Sequence, residues 1–243
     1  MTLSGVTIAF DLDGTLVDTA PDLIGSLNVV LGECGLAALP TQAARSLVGR
    51  GAKALIARGF ETAGEPLRPE RARLLLARFL AIYRSRIAGE SRPFEGLEAA
   101  LDQLSDAGAL LCVCTNKPTD LSILLLTALN LQDRFAAVIG ADSAPRPKPD
   151  ASHLRMAILE AGGDPGRAIM VGDSETDVLT ARALGAPVIA VPFGYTEIAP
   201  EDLGADILIQ HFDELPAAIM KLTAALNPAK GSAIGSPSLD QDA

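Results

Sequence analysis

The sequence predicts an α/β fold: a doubly wound, Rossmann-like core on a parallel sheet, with a helical domain inserted into it. Short apolar runs alternate with helical segments along most of the chain. These runs are apolar at successive positions, as strands must be when helices cover both faces of a parallel sheet. From about residue 21 to residue 87 the alternation stops, and only helical segments occur.

Six apolar runs predict the strands of the sheet. They span residues 6–10, 110–114, 138–140, 168–172, 187–191 and 207–209. Apolar residues at helical spacing predict core helices over 97–107, 120–131, 151–161 and 176–184. Gly108, Gly162 and Gly185 follow three of these segments, at the position where a left-handed residue commonly ends a helix.

The interruption predicts a separate helical domain between the first and second core strands. Its helical segments span residues 22–34, 41–48, 52–63 and 69–87, with glycine and proline between them. We therefore expect residues 1–18 and 91–227 to form the core and residues 19–90 the inserted domain. Residues 228–243 are rich in Gly, Ser, Pro and Ala and lack periodicity, which predicts a disordered tail.

Charge and composition exclude several classes of partner. The 243 residues include 20 Lys+Arg against 30 Asp+Glu, a net charge of −10 that would repel nucleic acid and anionic membranes. No apolar run approaches the ~18 residues of a transmembrane helix. Of the three cysteines, Cys112 and Cys114 lie in an apolar run and are expected to be reduced core residues. These features favour a cytoplasmic protein. The two histidines, His153 and His211, stand apart in the sequence and are expected at the protein surface.

Polar residues follow four of the predicted strands. In an open parallel sheet, ligands bind beyond the carboxyl ends of the strands. The residues found there are, in chain order, Asp11, Asp13, Thr115, Asn116, Lys148, Asp173 and Asp177. Each motif alone is more often a turn or a helix cap. Their coincidence at successive strand ends is what favours a functional site.

These residue types suit phosphoryl transfer. A carboxylate is ionised at neutral pH, so Asp11 can act as a nucleophile without a general base. Asp11 and Asp173 would crowd negative charge together unless a divalent cation lay between them, and oxygen ligands favour Mg²⁺. Lys148 adds a positive charge and Thr115 a hydroxyl for the phosphoryl oxygens.

Four short motifs resemble those of the haloacid dehalogenase-like phosphohydrolase superfamily. Residues 11–18, Asp-Leu-Asp-Gly-Thr-Leu-Val-Asp, are similar to its first motif, and Thr115, Lys148 and the run from Gly172 to Asp177 are similar to the other three. The helical block resembles the inserted cap of that superfamily. The resemblance implies that Asp11 forms an aspartyl-phosphate and that Asp13 acts as general acid and then as general base. It also implies Mg²⁺ held by the Asp11 and Asp173 side chains and the Asp13 carbonyl, with Asp177 in support.

Within the superfamily, the bacterial phosphoglycolate phosphatase family has similar segments. They are Val-Gly-Arg-Gly-Ala at 48–52, Pro-Phe-Glu-Gly at 93–96, Phe-Gly-Tyr at 193–195 and Phe-Asp-Glu-Leu at 212–215. The resemblance implies a Mg²⁺-dependent phosphatase of a small phosphomonoester, with 2-phosphoglycolate as the expected substrate. Thr15, Arg50 and Asn116 are the expected substrate-binding residues. A guanidinium such as that of Arg50 binds a carboxylate in two-pronged fashion.

Three alternatives stay open from the sequence. A β-phosphoglucomutase-like phosphosugar isomerase has the same nucleophile and acid/base pair. A phosphatase could also act on another small phosphate ester or on pyrophosphate. A binding module on a decayed enzyme scaffold is disfavoured because Asp11, Asp13, Lys148 and Asp173 are all intact.

Overall fold

The centre of the molecule is a six-stranded parallel sheet. The computed structural model describes residues 2–49 and 51–226, so Arg50 and the tail predicted at 228–243 lie outside the described residues. The strands are β1 (Thr7–Phe10), β2 (Val17–Asp18), β3 (Arg92–Pro93), β4 (Leu110–Cys114), β5 (Ala137–Ile139), β6 (Ala168–Gly172), β7 (Val188–Ala190) and β8 (Ile207–Leu208). The sheet order is β5-β4-β1-β6-β7-β8, with every neighbouring pair parallel. The predicted α/β class is confirmed.

Both faces of the sheet are buried. In β1, Ile8 and Phe10 belong to one hydrophobic cluster and Ala9 to another. The helices are α1 (Ala20–Glu33), α2 (Thr41–Ala44), α3 (Ala52–Thr62), α4 (Pro69–Ser85), α5 (Leu97–Asp106), α6 (Thr119–Ala128), α7 (Ala151–Glu160), α8 (Glu175–Leu184) and α9 (Leu215–Leu226). Helices α5 and α9 contribute to the first cluster and α7 and α8 to the second. This two-sided burial explains why the strands read as continuous apolar runs.

Several predicted helices are shorter in the structure, and two of the differences have a visible form or cause. The segment predicted at 41–48 is one turn of α2 followed by a 3₁₀ turn, Arg45–Leu47. The helix predicted at 120–131 ends as α6 at Ala128, because Asn130 has a φ of 57°, a left-handed conformation that a right-handed helix cannot contain. No helix in the described ranges is long and apolar enough to cross a bilayer.

A short ribbon joins the sheet to the helical block. Strands β2 and β3 pair antiparallel, with Val17 opposite Pro93 and Asp18 opposite Arg92. Helices α1 to α4 all lie in the chain between these two strands. We call this helical block, residues 19–90, the cap. Its status as a separate domain stays a prediction.

Candidate active site

A cavity that opens to solvent lies between the carboxyl edge of the sheet and the cap. Loops that follow β1 and β4 form its core side, and α3 and α4 contribute to its cap side. Four of the predicted residues line it: Asp11, Asp13, Thr115 and Asn116. Gly49 and Gly51, the neighbours of Arg50, line it as well.

Asp11 follows the last residue of β1 and contacts the buried ammonium of Lys148. Lys148 Nζ lies 2.9 Å from Asp11 Oδ1 and 2.6 Å from Asp177 Oδ1, and the lysine side chain is 2% exposed. The Leu12 backbone N–H also donates to Asp11 Oδ1, at 2.7 Å. Both contacts go to Oδ1, which leaves Oδ2 for a ligand in the cavity.

Burial governs the charges of this pair. Burial raises the pKa of Asp11 to about 6, even though Lys148 lowers it, and Asp177 raises it further. Burial also disfavours the charged form of Lys148, but the carboxylates of Asp11 and Asp177 outweigh it and raise the lysine pKa above its ordinary value. Lys148 is therefore a fixed positive charge beside the candidate nucleophile.

Asp173, at the end of β6, is held from two sides. Its Oδ1 accepts from Thr15 Oγ1 at 2.9 Å and its Oδ2 from the Tyr195 backbone N–H at 2.7 Å. Gly14, with a φ of 88°, and Gly194 lie so close that a Cβ on either would collide with the Asp173 carboxylate. The fit is tight enough to fix the position of this carboxylate.

Three buried carboxylates could together hold a metal ion. One oxygen from each of Asp11, Asp173 and Asp177 lies within 4.8 Å of the others. Burial, followed by repulsion from Asp177 and Asp11, raises the pKa of Asp173 to about 8. Asp177 is already engaged by Lys148 and by the Ser174 N–H and hydroxyl, at 3.1 and 2.7 Å, so it suits a supporting role.

Lys117 is a site residue that the sequence analysis missed. Its Nζ lies 3.0 and 3.2 Å from the two carboxylate oxygens of Asp13. It also donates to the hydroxyl of Tyr83, in α4 of the cap, at 2.7 Å. The sequence signal was available, since Lys117 directly follows Thr115 and Asn116 behind β4.

The loop that carries Lys148 is fastened by Asn116 and His153. Asn116 donates from Nδ2 to the Lys148 carbonyl at 3.1 Å and accepts from the Lys148 N–H at 2.9 Å. That N–H also donates to His153 Nδ1 at 3.1 Å, and His153 Nε2 lies 3.1 Å from the Ile139 carbonyl. The expectation of a surface His153 is wrong: the residue is fully buried, because both ring nitrogens have partners in the fold.

Tyr195 connects the metal-binding side of the site to the cap. Its hydroxyl accepts from the N–H groups of Thr19 and Ala20, at 2.7 and 2.9 Å, where α1 begins. The same hydroxyl donates to Asp18 Oδ1 at 2.7 Å. Because its backbone N–H holds Asp173, one residue positions both a candidate metal ligand and the start of the cap.

The arrangement can perform phosphoryl transfer to a carboxylate. Asp11 offers a nucleophile and Asp13 a second carboxylate in the same cavity. The hydroxyl of Thr115 accepts from the Lys117 N–H at 3.2 Å, so its own hydrogen can be donated to a phosphoryl oxygen.

Comparisons with known proteins agree with the family that the sequence motifs resemble. The family model for haloacid dehalogenase-like hydrolases matches residues 8–191. A phosphoglycolate phosphatase of Caulobacter vibrioides is 53% identical over 94% of this chain and 97% of its own length. One from Agrobacterium fabrum is 45% identical over 88% of this chain and 93% of its own length.

Solved structures share the fold. A crystal structure of a "predicted phosphoglycolate phosphatase" from Haemophilus somnus superposes with a TM-score of 0.82 and 28% identity. The match covers 90% of this chain and 99% of the other. A "predicted phosphatase" from Clostridium acetobutylicum has a TM-score of 0.76 and 27% identity, with coverage of 90% and 99%.

Proposed function

The chain belongs to the haloacid dehalogenase-like hydrolase family, and on that premise we propose that it is a Mg²⁺-dependent phosphatase that converts 2-phosphoglycolate to glycolate and phosphate. One observation carries the proposal: the Asp11 carboxylate lies in the cavity at the end of β1, 2.9 Å from the buried ammonium of Lys148. The names of the relatives from Caulobacter vibrioides and Agrobacterium fabrum support the choice of substrate.

Asp11 attacks phosphorus in the first step. A bond forms between a carboxylate oxygen and phosphorus while the bond from phosphorus to the glycolate oxygen breaks. Asp13 gives its proton to that oxygen, so glycolate leaves as the alcohol. Lys148 and Thr115 donate to the phosphoryl oxygens and stabilise the charge that they carry in the transition state. The product of this step is an aspartyl-phosphate on Asp11.

Asp13 acts as the base in the second step. It takes a proton from water, the water oxygen attacks phosphorus, and the bond to the Asp11 carboxylate breaks. Phosphate is released, Asp11 returns as the free carboxylate, and Asp13 is again protonated. Atoms and charge therefore balance over the two steps.

The donor set fits Mg²⁺. Three buried carboxylates face one buried ammonium, so two net negative charges remain when all are ionised. All the side-chain donors are hard oxygens, which Mg²⁺ prefers. When bound by the Asp11 and Asp173 side chains and the Asp13 carbonyl, with Asp177 in support, Mg²⁺ would supply positive charge to the phosphoryl group.

Substrate binding is proposed at three further residues. Arg50 lies between two residues that line the cavity, Gly49 and Gly51, from which a guanidinium could reach the substrate. Thr15 hydrogen-bonds to Asp173, and Asn116 hydrogen-bonds to the backbone of Lys148. We therefore propose that they act on the substrate mainly by positioning Asp173 and Lys148. A cytoplasmic role in carbohydrate metabolism completes the proposal, in keeping with buried Cys112 and Cys114 as free thiols.

A phosphate-release assay tests the function. Wild-type protein should hydrolyse 2-phosphoglycolate with Mg²⁺, lose activity in EDTA and regain it when Mg²⁺ is restored. Asp11→Asn should abolish turnover, because an amide is a poor nucleophile and one charged metal ligand is lost. Conversion of glucose 1-phosphate to glucose 6-phosphate without phosphate release would instead support the phosphosugar isomerase, and activity that EDTA leaves intact would contradict the metal requirement.

A further inference from the structure

The cavity contains one positive charge that the two-step reaction does not use. Of the described residues that line it, Lys117 is the only lysine or arginine. Its side chain is 3% exposed, although Lys117 lies in the loop between β4 and α6 and lines a cavity that opens to solvent. Burying an ammonium is costly unless partners compensate it, so its presence beside the reaction centre needs a reason.

Lys117 is held from both sides of the cavity. From the core, the Asp13 carboxylate contacts Nζ at 3.0 and 3.2 Å. From the cap, the Tyr83 hydroxyl accepts from Nζ at 2.7 Å, and Nζ also lies 4.4 Å from the centre of the Tyr83 ring. The ring in turn stacks on Phe79, with 6.1 Å between ring centres, which fixes its position in the cap. The ammonium is therefore placed precisely, next to Asp13.

The position of Asp13 determines what lies beside Lys117 during the reaction. A general acid must be within hydrogen-bond reach of the oxygen that it protonates. In 2-phosphoglycolate a single methylene carbon separates that leaving oxygen from the carboxylate. The substrate carboxylate is thus brought to the neighbourhood of Asp13. Once Asp13 has given up its proton, the two carboxylates would repel each other unless a cation lay between them.

We propose that Lys117 and Tyr83 form the binding site for the carboxylate of the leaving group, an inference that rests on the proposed function. The ammonium offers three hydrogens and can contact both Asp13 and a substrate carboxylate. The Tyr83 hydroxyl accepts from Lys117 and keeps its own hydrogen to donate to the same carboxylate. Because Lys117 comes from the core and Tyr83 from the cap, the site is complete only when the cap covers the sheet edge.

Two substrates that differ in the carboxylate distinguish carboxylate binding by Lys117 from an effect of Lys117 on Asp13. Ethyl phosphate replaces the carboxylate of 2-phosphoglycolate with a methyl group and keeps the leaving oxygen and the phosphoryl group. We expect Lys117→Met to lower kcat/KM for 2-phosphoglycolate about 10- to 100-fold more than for ethyl phosphate, the range for a charged hydrogen bond. Any loss common to both substrates reports the missing partner of Asp13.

Two further variants control the comparison. Lys53→Met removes an exposed lysine from α3 of the cap and should leave both substrates unaffected. Tyr83→Phe keeps the ring and its stacking, and should lower the preference for 2-phosphoglycolate several-fold even if Lys117→Met does not fold.

The outcomes separate this inference from the proposed function. If the wild type prefers 2-phosphoglycolate and both Lys117→Met and Tyr83→Phe keep that preference, the carboxylate site is wrong while the phosphatase stands. A wild type that hydrolyses both esters equally well overturns the carboxylate site as well. A wild type inactive on phosphate esters overturns the proposed function and the inference with it.

Discussion

His153 accepts the Lys148 N–H through Nδ1, so its Nε2 carries the ring hydrogen and donates it to the Ile139 carbonyl. Protonation would place a second hydrogen on Nδ1, facing the N–H that it now accepts. Burial and the nearby Lys148 charge favour the neutral ring, and the pKa of His153 falls to about 4. The neutral imidazole is thus part of how the fold positions Lys148, the proposed catalytic lysine.

This lowered pKa predicts a specific loss of stability in acid. The ordinary pKa of the group is 6.5, so between pH 6.5 and about 4 the unfolded chain binds more protons than the folded one. The free energy of unfolding should therefore fall through that window, by at most about 3 kcal/mol from this group. Urea unfolding of metal-free wild type and of His153→Gln across the window measures it. Parallel curves for the two proteins would contradict the buried neutral ring.

The residues at the strand ends could be predicted because the motifs that contain them are short and contiguous in the sequence. Asp11 and Asp13, or Asp173 and Asp177, stand within a few positions of each other behind an apolar run. The contact between Lys117 and Tyr83 joins residues 34 positions apart in different elements, and no local pattern reports it. His153 stands between Ser152 and Leu154 in a helical pattern that fits a surface position as well as a buried one. Its burial follows from its contact with the Lys148 loop, which the sequence does not show.

At the scale of elements, the connection between cap and sheet depends on the start of α1. The first N–H groups of a helix lack partners within the helix. Here the Tyr195 hydroxyl accepts from two backbone N–H groups, of Thr19 and Ala20, and donates to Asp18, which also pairs with Arg45 at 2.9 Å. The ribbon of β2 and β3 was not predicted, since two-residue strands give no alternating pattern.

Removing the Tyr195 hydroxyl should loosen the connection between the cap and the sheet. Tyr195→Phe leaves two backbone donors and one carboxylate without their buried partner, at a cost of about 1–3 kcal/mol in the free energy of unfolding. Activity should fall on both esters, and more on 2-phosphoglycolate than on ethyl phosphate, since the carboxylate site needs Tyr83 of the cap next to Lys117 of the core. Thr127→Val, which removes the hydroxyl of an exposed residue in α6, is the control for both measurements. Unchanged stability in Tyr195→Phe would refute this role.

At the scale of the whole molecule, a chain with a net charge of −10 binds an anionic substrate. Two buried lysines offset that charge locally: Lys148 contacts Asp11, and Lys117 contacts Asp13. The three neighbouring carboxylates of Asp11, Asp173 and Asp177 form the place where a divalent cation would bind. Lys148 thus contacts two of the three carboxylates at which the metal would bind, whereas Lys117 contacts Asp13 in the cavity.

Metal binding should depend on pH through Asp173. Its pKa of about 8 means that the metal-free site holds a proton at neutral pH, which Mg²⁺ must displace. The rise in Tm caused by Mg²⁺ should therefore grow between about pH 6.5 and about pH 9. Asp173→Asn should abolish that rise, whereas Asp133→Asn, which removes an exposed carboxylate elsewhere on the core, should keep it. A Tm rise that persists in Asp173→Asn would place the metal elsewhere.

The central claim is that Asp11 carries the phosphoryl group between the two steps. The most direct test uses 2-phosphoglycolate with a radioactive phosphorus label in its phosphoryl group. A single turnover is stopped with acid, and the labelled peptide is then identified by peptide mapping. We predict label on the peptide that contains Asp11, released by hydroxylamine as an acyl phosphate is, and absent from Asp11→Asn. Product formed in that turnover with no label on the protein, or with label on another residue, would contradict the account.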